Sequence, residues 1–135
     1  MATLLFVKRL WLLSICAIAC GCGGTNSVTA ARFAGTYTGT WENVDDASDA
    51  GTSTWTISSS GAVDGTDVDP GRGTTFHVVG SVDEFGNLTS MSTPEGEAPS
   101  SLNGGLHFSN GNTLTGVLVW GVTPPLSYTY TFHRE

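Results

Sequence analysis

Basic residues are scarce in this sequence, and lysine is nearly absent. The 135 residues include twelve aspartates and glutamates but only five lysines and arginines, which gives a formal net charge of −7. Lys8 is the single lysine, and only Arg32, Arg72 and Arg134 follow Arg9. Nucleic-acid binding requires clustered cations, as does electrostatic attraction to anionic lipid headgroups. The composition therefore excludes nucleic acid as a partner and disfavours a charge-driven contact with membranes.

Cysteine is missing after residue 22, because Cys16, Cys20 and Cys22 are the three that the chain contains. The rest of the chain can therefore form neither a disulfide framework nor a thiolate metal site. From Cys22 onward 114 of the 135 residues remain, which is enough for one domain with its own core. We expect no metal and no cofactor.

The common catalytic motifs are also missing. The sequence contains no Gly-x-Ser-x-Gly, no His-Glu-x-x-His and no Gly-x-x-x-x-Gly-Lys segment. His77, His107 and His133 are predicted on the outward faces of different strands, too dispersed to share a zinc ion. The sequence therefore predicts a protein that is not an enzyme.

Six of the aspartates form two groups of three in predicted loops. One group is Asp45, Asp46 and Asp49, and the other is Asp64, Asp67 and Asp69. Their spacing lacks the twelve-residue loop and terminal glutamate of an EF-hand calcium site. Aspartates in such segments are usually turn residues that contact water. We therefore predict solvated aspartates and no calcium site.

One long hydrophobic run does occur, Leu10–Ala19, and it follows the basic pair Lys8-Arg9. A basic segment, an apolar segment and small residues in that order are typical of a secretory signal peptide, which we expect to be helical. The run has about half of the roughly 20 residues that a membrane-spanning helix needs. A permanent transmembrane span is therefore not expected.

The segment Ala19–Cys22 resembles the lipobox of bacterial lipoproteins, where a signal peptidase cuts before a cysteine that carries diacylglycerol. Cys22 fits the pattern best, with Gly21 directly before it. Cys20 is the alternative, and it places Cys16 where an aliphatic residue is usual. A plain secretory signal, with release of the protein, is the other interpretation.

The lipobox resemblance implies a signal peptide over 1–21, a lipidated tether over 22–31 and a folded domain over 32–135. Gly23 rather than aspartate follows Cys22, which implies the outer membrane by the sorting rule of enteric bacteria. The domain keeps three arginines against twelve carboxylates, a formal charge of −9, so that palmitate-type acyl chains must provide the anchor. The expected location is the cell envelope, facing the periplasm or the cell surface, with the membrane as a partner through this lipid.

Apolar and polar residues alternate with period two between turns rich in glycine and asparagine, which indicates strands rather than helices. We predict eight of them: Arg32–Glu42, Thr52–Ser58, Ala62–Val68, Thr75–Val82, Leu88–Ser92, Ser101–Ser109, Thr113–Trp120 and Ser127–Arg134. The pair Asn110-Gly111 is typical of a type I′ hairpin turn between the sixth and seventh strands.

The aromatic residues support this register. Eleven follow residue 22, and ten of them fall on the apolar faces of the predicted strands, Phe85 being the exception. An antiparallel meander of eight strands buries one apolar face best by closing into a small up-and-down barrel. Inward glycines at positions 35, 39, 80, 104 and 116 allow the coiling that closure requires. The predicted fold class is all-β, as a barrel, with a two-sheet β-sandwich as the alternative.

The tripeptide Gly39-Thr40-Trp41 on the first strand is similar to the Gly-x-Trp signature of lipocalins and to the Gly-Thr-Trp of avidins. In these calycin-type barrels an arginine near the last strand packs across the first-strand tryptophan. The resemblance implies that Trp41 and Arg134 form a cation–π pair that closes one barrel end. It implies an architecture more than an activity.

The inward aromatic residues line either a ligand cavity or a solid core, and they are Tyr37, Trp41, Trp55, Phe76, Phe108, Trp120, Tyr128 and Tyr130. An eight-stranded barrel has room for packed side chains or for one small ligand. A cavity predicts a lipocalin-like carrier of a small apolar molecule. A solid core predicts an interaction, inhibitor or structural module that binds another envelope protein or the cell wall. We expect few inward polar groups, and no inward charged pair that orients a polar ligand such as biotin.

Overall fold

The computed structural model describes residues 30–135, which form one closed barrel of eight antiparallel strands. The strands are β1 Gly35–Asn43, β2 Ala50–Ile57, β3 Ala62–Asp69, β4 Thr74–Val82, β5 Asn87–Pro94, β6 Ser100–Phe108, β7 Thr113–Trp120 and β8 Leu126–Arg134. Each strand pairs with the next along the chain, and β8 pairs with β1 to close the barrel. The predicted meander barrel is confirmed, and the sandwich alternative is wrong. The predicted signal peptide, Cys20, Cys22 and most of the tether lie outside the described residues.

Alternation along each strand separates a buried inner face from an exposed outer face. On β6, for example, Leu102 and Leu106 are 2% exposed, whereas the residues that follow them, Asn103 and His107, are exposed. The inward aromatic residues are buried or half-buried, and Phe85 is 73% exposed in a turn. The predicted inner face is therefore confirmed, since side chains alternate with period two on a pleated sheet.

The two barrel ends differ. At one end, here called the closed end, a 3-10 helix over Ala30–Phe33 crosses the barrel, and the fully buried ring of Phe33 stacks on Phe108 at 5.6 Å between centroids. The other end, here called the mouth, carries the loops 44–49, 70–73, 95–99 and 121–125. The described residues begin at Ala30, so the chain enters the barrel at the closed end.

The start of the first strand is a correction to the sequence analysis. The strand begins at Gly35 rather than at Arg32. The Tyr37 hydroxyl donates to the Phe33 carbonyl at 2.7 Å, and Arg134 Nη2 donates to the Arg32 carbonyl at 2.6 Å. These two bonds hold residues 30–33 across the barrel end. The segment therefore does not extend β1 alongside β8, and Phe33 is buried in the closed end. No helix among residues 30–135 has the length and the apolar character to cross a membrane.

The expected pair of Trp41 and Arg134 is also corrected. Strand register places Arg134 opposite Tyr37 at the closed end, while Trp41 lies opposite Tyr130, four residues further toward the mouth. The guanidinium of Arg134 instead lies 5.4 Å from the Tyr37 ring centroid and 4.9 Å from that of Phe108. Arg134 therefore closes a barrel end by cation–π contact, but with different aromatic partners.

Candidate functional site at the barrel mouth

A small cavity of about 30 Å³ lies just inside the mouth. Strands from all around the barrel contribute to it, and its lining residues are Trp41, Asp67, Arg72, Phe76, Ser92, Leu102, Trp120, Tyr128 and Tyr130. The volume is enough for a few water-sized groups, whereas pockets that enclose a drug-sized ligand measure about 300–1,000 Å³. Most of the barrel interior is therefore packed with side chains.

Asp67 is the polar centre of this site. It is 3% exposed and accepts three hydrogen bonds, from Ser53 Oγ at 2.6 Å, Trp55 Nε1 at 2.7 Å and the Tyr130 hydroxyl at 2.7 Å. Ser53 lies directly opposite Asp67 in the β2–β3 register, whereas Tyr130 reaches across the lumen from β8. One carboxylate on β3 therefore fixes side chains from two other strands in a single arrangement.

A glycine makes the bond between Trp55 and Asp67 possible. The register places Gly65, two residues before Asp67, opposite Trp55. A Cβ atom at Gly65 would lie 2.6 Å from Trp55 Cγ, so the indole occupies the space that a side chain would fill. Because the ring lies flat over Gly65, its N–H points along β3 to the carboxylate.

Charged groups at the rim hold two mouth loops together. Tyr128 donates to Asp49 Oδ2 at 3.1 Å, and Arg72 Nη2 lies 3.5 Å from Asp49 Oδ1. Arg72 Nε also lies 3.5 Å from Asp69 Oδ2, while its backbone N–H donates to Asp69 Oδ1 at 3.0 Å. The contact between Arg72 Nε and Asp69 Oδ2 is an ion pair too long for a hydrogen bond. One half-exposed arginine thus bridges two aspartates, with Asp67 deeper inside.

Two indole N–H groups in the cavity lining have no acceptor. Trp41 is 5% exposed and Trp120 is half-buried, and Nε1 of each is buried without a hydrogen-bond partner among residues 30–135. The Trp41 ring packs edge-on against Tyr128 at 5.4 Å, and the Trp120 ring packs edge-on against Phe76 at 5.7 Å. Buried donors without partners are uncommon and cost free energy. Two residues of the cavity lining therefore carry buried donors whose bonding capacity is not used within residues 30–135.

Burial changes the ionisation of the groups around the cavity. The pKa of Asp67 is raised, because desolvation outweighs the three hydrogen bonds that favour its charged form. The pKa of Tyr130 is raised well above 10 by burial and by the neighbouring Asp67 carboxylate. Burial and Asp49 raise the pKa of Tyr128 to about 12. Both tyrosines are therefore neutral hydrogen-bond donors at physiological pH.

The structure brings together five of the eight inward aromatic residues predicted to line a cavity or core, namely Trp41, Phe76, Trp120, Tyr128 and Tyr130. The other three lie elsewhere. Trp55 is 1% exposed within the core, Tyr37 is fully buried beside Arg134, and Phe108 packs under Phe33. Both alternatives thus hold in part, because the interior is a solid core with a small cavity at one end.

The sequence analysis missed the polar residues of the site. Asp67 and Asp69 were predicted to be solvated turn residues, but both are 3% exposed and point inward; only Asp64 of that group is exposed. Ser53 and Ser92 are likewise buried. The expectation of few inward polar groups, and of no inward charged pair, is wrong at the mouth. Period-two alternation extended through β3 would have placed Val63, Gly65, Asp67 and Asp69 on one face.

The three histidines lie outside this site. His77, His107 and His133 are all exposed on the outer face, as predicted. Among residues 30–135 no group of three histidine, cysteine, aspartate or glutamate side chains is arranged to hold a metal ion.

Comparison with known proteins finds no match, whether among protein-family models, curated proteins or solved structures.

Proposed function

We propose that this chain is a lipid-anchored lipoprotein of the bacterial envelope whose barrel is a non-catalytic binding module with its ligand site at the mouth. The observation that carries the proposal is the pair of buried indole N–H groups of Trp41 and Trp120 beside the cavity. A hydrogen-bond acceptor that reaches these N–H groups gains bonds to donors that are already desolvated, and the packed indole rings need little further ordering.

The charges of the mouth indicate which acceptor fits. Arg72 pairs with Asp49 and Asp69, and the Asp67 carboxylate lines the same cavity, so a carboxylate or phosphate ligand would meet an excess of like charge. A neutral acceptor, such as the carbonyl oxygen of an amide, avoids this repulsion. Because the cavity measures about 30 Å³, only a terminal group of the ligand enters it. The rest of the ligand would lie on the mouth loops.

The same geometry favours this module over an enclosed carrier of an apolar molecule. Trp55, Tyr130 and Phe132 fill the middle of the barrel, with ring centroids 4.8–5.6 Å apart. An acyl chain would have to displace these packed rings. The proposed lipid anchor on Cys22 agrees with the position of the mouth, since a tether over 22–31 would hold the closed end toward the membrane.

Two measurements on the protein test this proposal. Replacement of Cys22 by Ser should release the chain from membranes, and retention would contradict anchoring at Cys22; release by Cys20→Ser alone would move the lipid to Cys20. For binding, the tryptophan emission of the detergent-solubilised protein is titrated with acetamide, with acetate as the isosteric anion, and with dodecanoate. We expect a saturable change with acetamide and a weaker one with acetate. A saturable change with dodecanoate alone would support the apolar carrier instead.

A further inference from the structure

The outer face of β4–β8 is a continuous surface with almost no charge. These five strands contain a single charged residue, Arg134, and its side chain contacts Tyr37 at the closed end. The acidic residues lie instead on β1, on β3 and in the loops. In a domain of formal charge −9, this surface, here called the neutral wall, is where a second molecule of like charge meets the least repulsion.

Several exposed apolar side chains protrude from the neutral wall. Val79 on β4 and Met91 on β5 are direct neighbours in the register and are 51% and 44% exposed. Val117 and Val119 on β7 are 52% and 41% exposed. On β6, between β5 and β7, the outward position opposite Val117 is Gly105, and its neighbour on β5 is the exposed Asn87. A Cβ atom built on Gly105 would meet no other atom within 4 Å, so β6 forms a shallow valley there.

We propose that the neutral wall is an interface between two copies of this chain, in which Val117 of each copy fits over Gly105 of the other. Val117 and Gly105 are paired across β7 and β6, so they stand at the same height along the strands. A twofold axis that runs between β6 and β7, parallel to the strands, therefore places each valine over the partner copy's glycine. Such an interface is self-complementary, as a symmetric dimer requires.

Size and anchoring are consistent with this assembly. The four strands nearest the twofold axis, β5–β8, are about 4.8 Å apart and about eight residues long, and they cover a flat area on the order of 500 Å². Standard interfaces bury about 800 Å² of accessible surface on each partner, so this contact lies at the small end. The proposed lipid anchor would confine the copies to one membrane and raise their effective concentration. This part of the argument, and no other, rests on the proposed function. The twofold axis also leaves both closed ends, and hence both anchors, on the same side.

Cross-linking in intact membranes tests the dimer. Val119→Cys, close to the twofold axis, is treated with a short bis-maleimide, and Thr54→Cys on β2 serves as the outward position on the opposite side of the barrel. The parent chain gives the background from its own cysteines. We expect a cross-linked dimer from Val119→Cys alone. Equal yields from both positions would overturn the proposal, and so would an adduct of Val119→Cys with a different protein.

The fit of Val117 over Gly105 has its own test. Adding Gly105→Val to Val119→Cys fills the valley and should lower the dimer yield about tenfold or more, because overfilled contacts are strongly disfavoured. Val117→Asp, at an exposed site where the fold tolerates change, should have the same effect. Undiminished cross-linking in both variants would overturn the proposal. Recovery of the parent chain in the soluble fraction would contradict the lipid anchor. The dimer proposal would then be tested by the same cross-linking in that fraction.

Discussion

Asp67 shows how one buried carboxylate organises the interior of a small barrel. Its two oxygens accept bonds from Ser53, Trp55 and Tyr130, which come from two other strands, β2 and β8. Among residues 30–135 no cation pairs with it directly, and burial raises its pKa in spite of these donors. The carboxylate therefore gives a single defined arrangement of rings at a cost in free energy when it is charged.

The first prediction concerns the pH dependence of stability. The pKa of Asp67 is higher in the folded than in the unfolded state, where it is near 3.8. Its stabilising contribution is therefore fully present below the unfolded-state pKa and is lost as pH rises through the folded-state pKa. Urea midpoints of the parent protein should therefore contain a component that falls with rising pH from about 4. Asp67→Asn should remove this component, while Asp64→Asn, exposed on the same strand, should keep it. Parallel profiles for the parent and Asp67→Asn would contradict the assignment.

Arg134 supports a second prediction. Its Nε and Nη2 donate to the Tyr37 hydroxyl at 3.1 and 2.7 Å, and Nη2 also donates to the Arg32 carbonyl. Arg134→Met keeps the side-chain stem but removes these bonds, and should lower the free energy of unfolding by about 1–3 kcal/mol. Arg32→Met removes only an exposed cation–π contact with Phe33 and should cost under about 1 kcal/mol. Equal losses in urea denaturation would show that Arg134 does not fasten the closed end.

At the scale of the strand, period-two alternation was sufficient to predict all eight elements and the inner face of most of them. It worked because apolar residues must face the lumen of a closed barrel, and a shift of one residue would turn them all outward. It failed for β3, whose inward half carries Asp67 and Asp69 rather than apolar residues. Hydrophobicity alone predicts that aspartates face water. A buried aspartate needs hydrogen-bond donors, and here these come from strands that are distant in the sequence.

Long-range register accounts for two other errors, whereas the predicted type I′ turn at Asn110-Gly111 is wrong because neither residue has a positive φ. The partner of Arg134 depends on how β8 pairs with β1, and a shift of four residues separates Tyr37 from Trp41. The 3-10 helix at Ala30–Phe33 likewise depends on bonds from Tyr37 and Arg134 that the local sequence does not contain. The mouth cavity could be predicted only as a set of inward aromatic residues, because its free donors are a property of the packed barrel.

A third prediction contrasts two glycines in strand interiors. A Cβ at Gly65 would collide with the Trp55 ring, whereas a Cβ at the outward Gly105 would meet nothing within 4 Å. Gly65→Ala should therefore lower the free energy of unfolding by about 1–3 kcal/mol through overpacking. Gly105→Ala should change it by less than about 0.5 kcal/mol, as is usual for surface sites. Similar values for both, from urea denaturation, would contradict the position of the Trp55 ring over Gly65.

Over the whole molecule, polarity increases from the closed end to the mouth. Phe33 and Leu114 fill the closed end and are fully buried, while carboxylates, serines and tyrosine hydroxyls surround the mouth cavity. The chain enters at the apolar end, where the proposed tether leads to the membrane. The polar end is then presented to the surroundings, as a binding site for an external partner requires.

The free donors at the mouth are the central claim, and the indole N–H signals of the processed protein test it most directly. In protein that lacks residues 1–21, the proposed signal peptide, the tryptophans are Trp41, Trp55 and Trp120, and these contribute the indole signals to an NMR spectrum of nitrogen-15-labelled protein in detergent. Trp55 is an internal control, because its N–H is already bonded to Asp67 at 2.7 Å.

Titration with acetamide should move the Trp41 and Trp120 signals together, with one dissociation constant, and should move the Trp55 signal much less. Acetate at the same concentrations should produce a smaller shift. If neither the Trp41 nor the Trp120 signal moves saturably, or if the Trp55 signal moves most, the mouth is not the binding site.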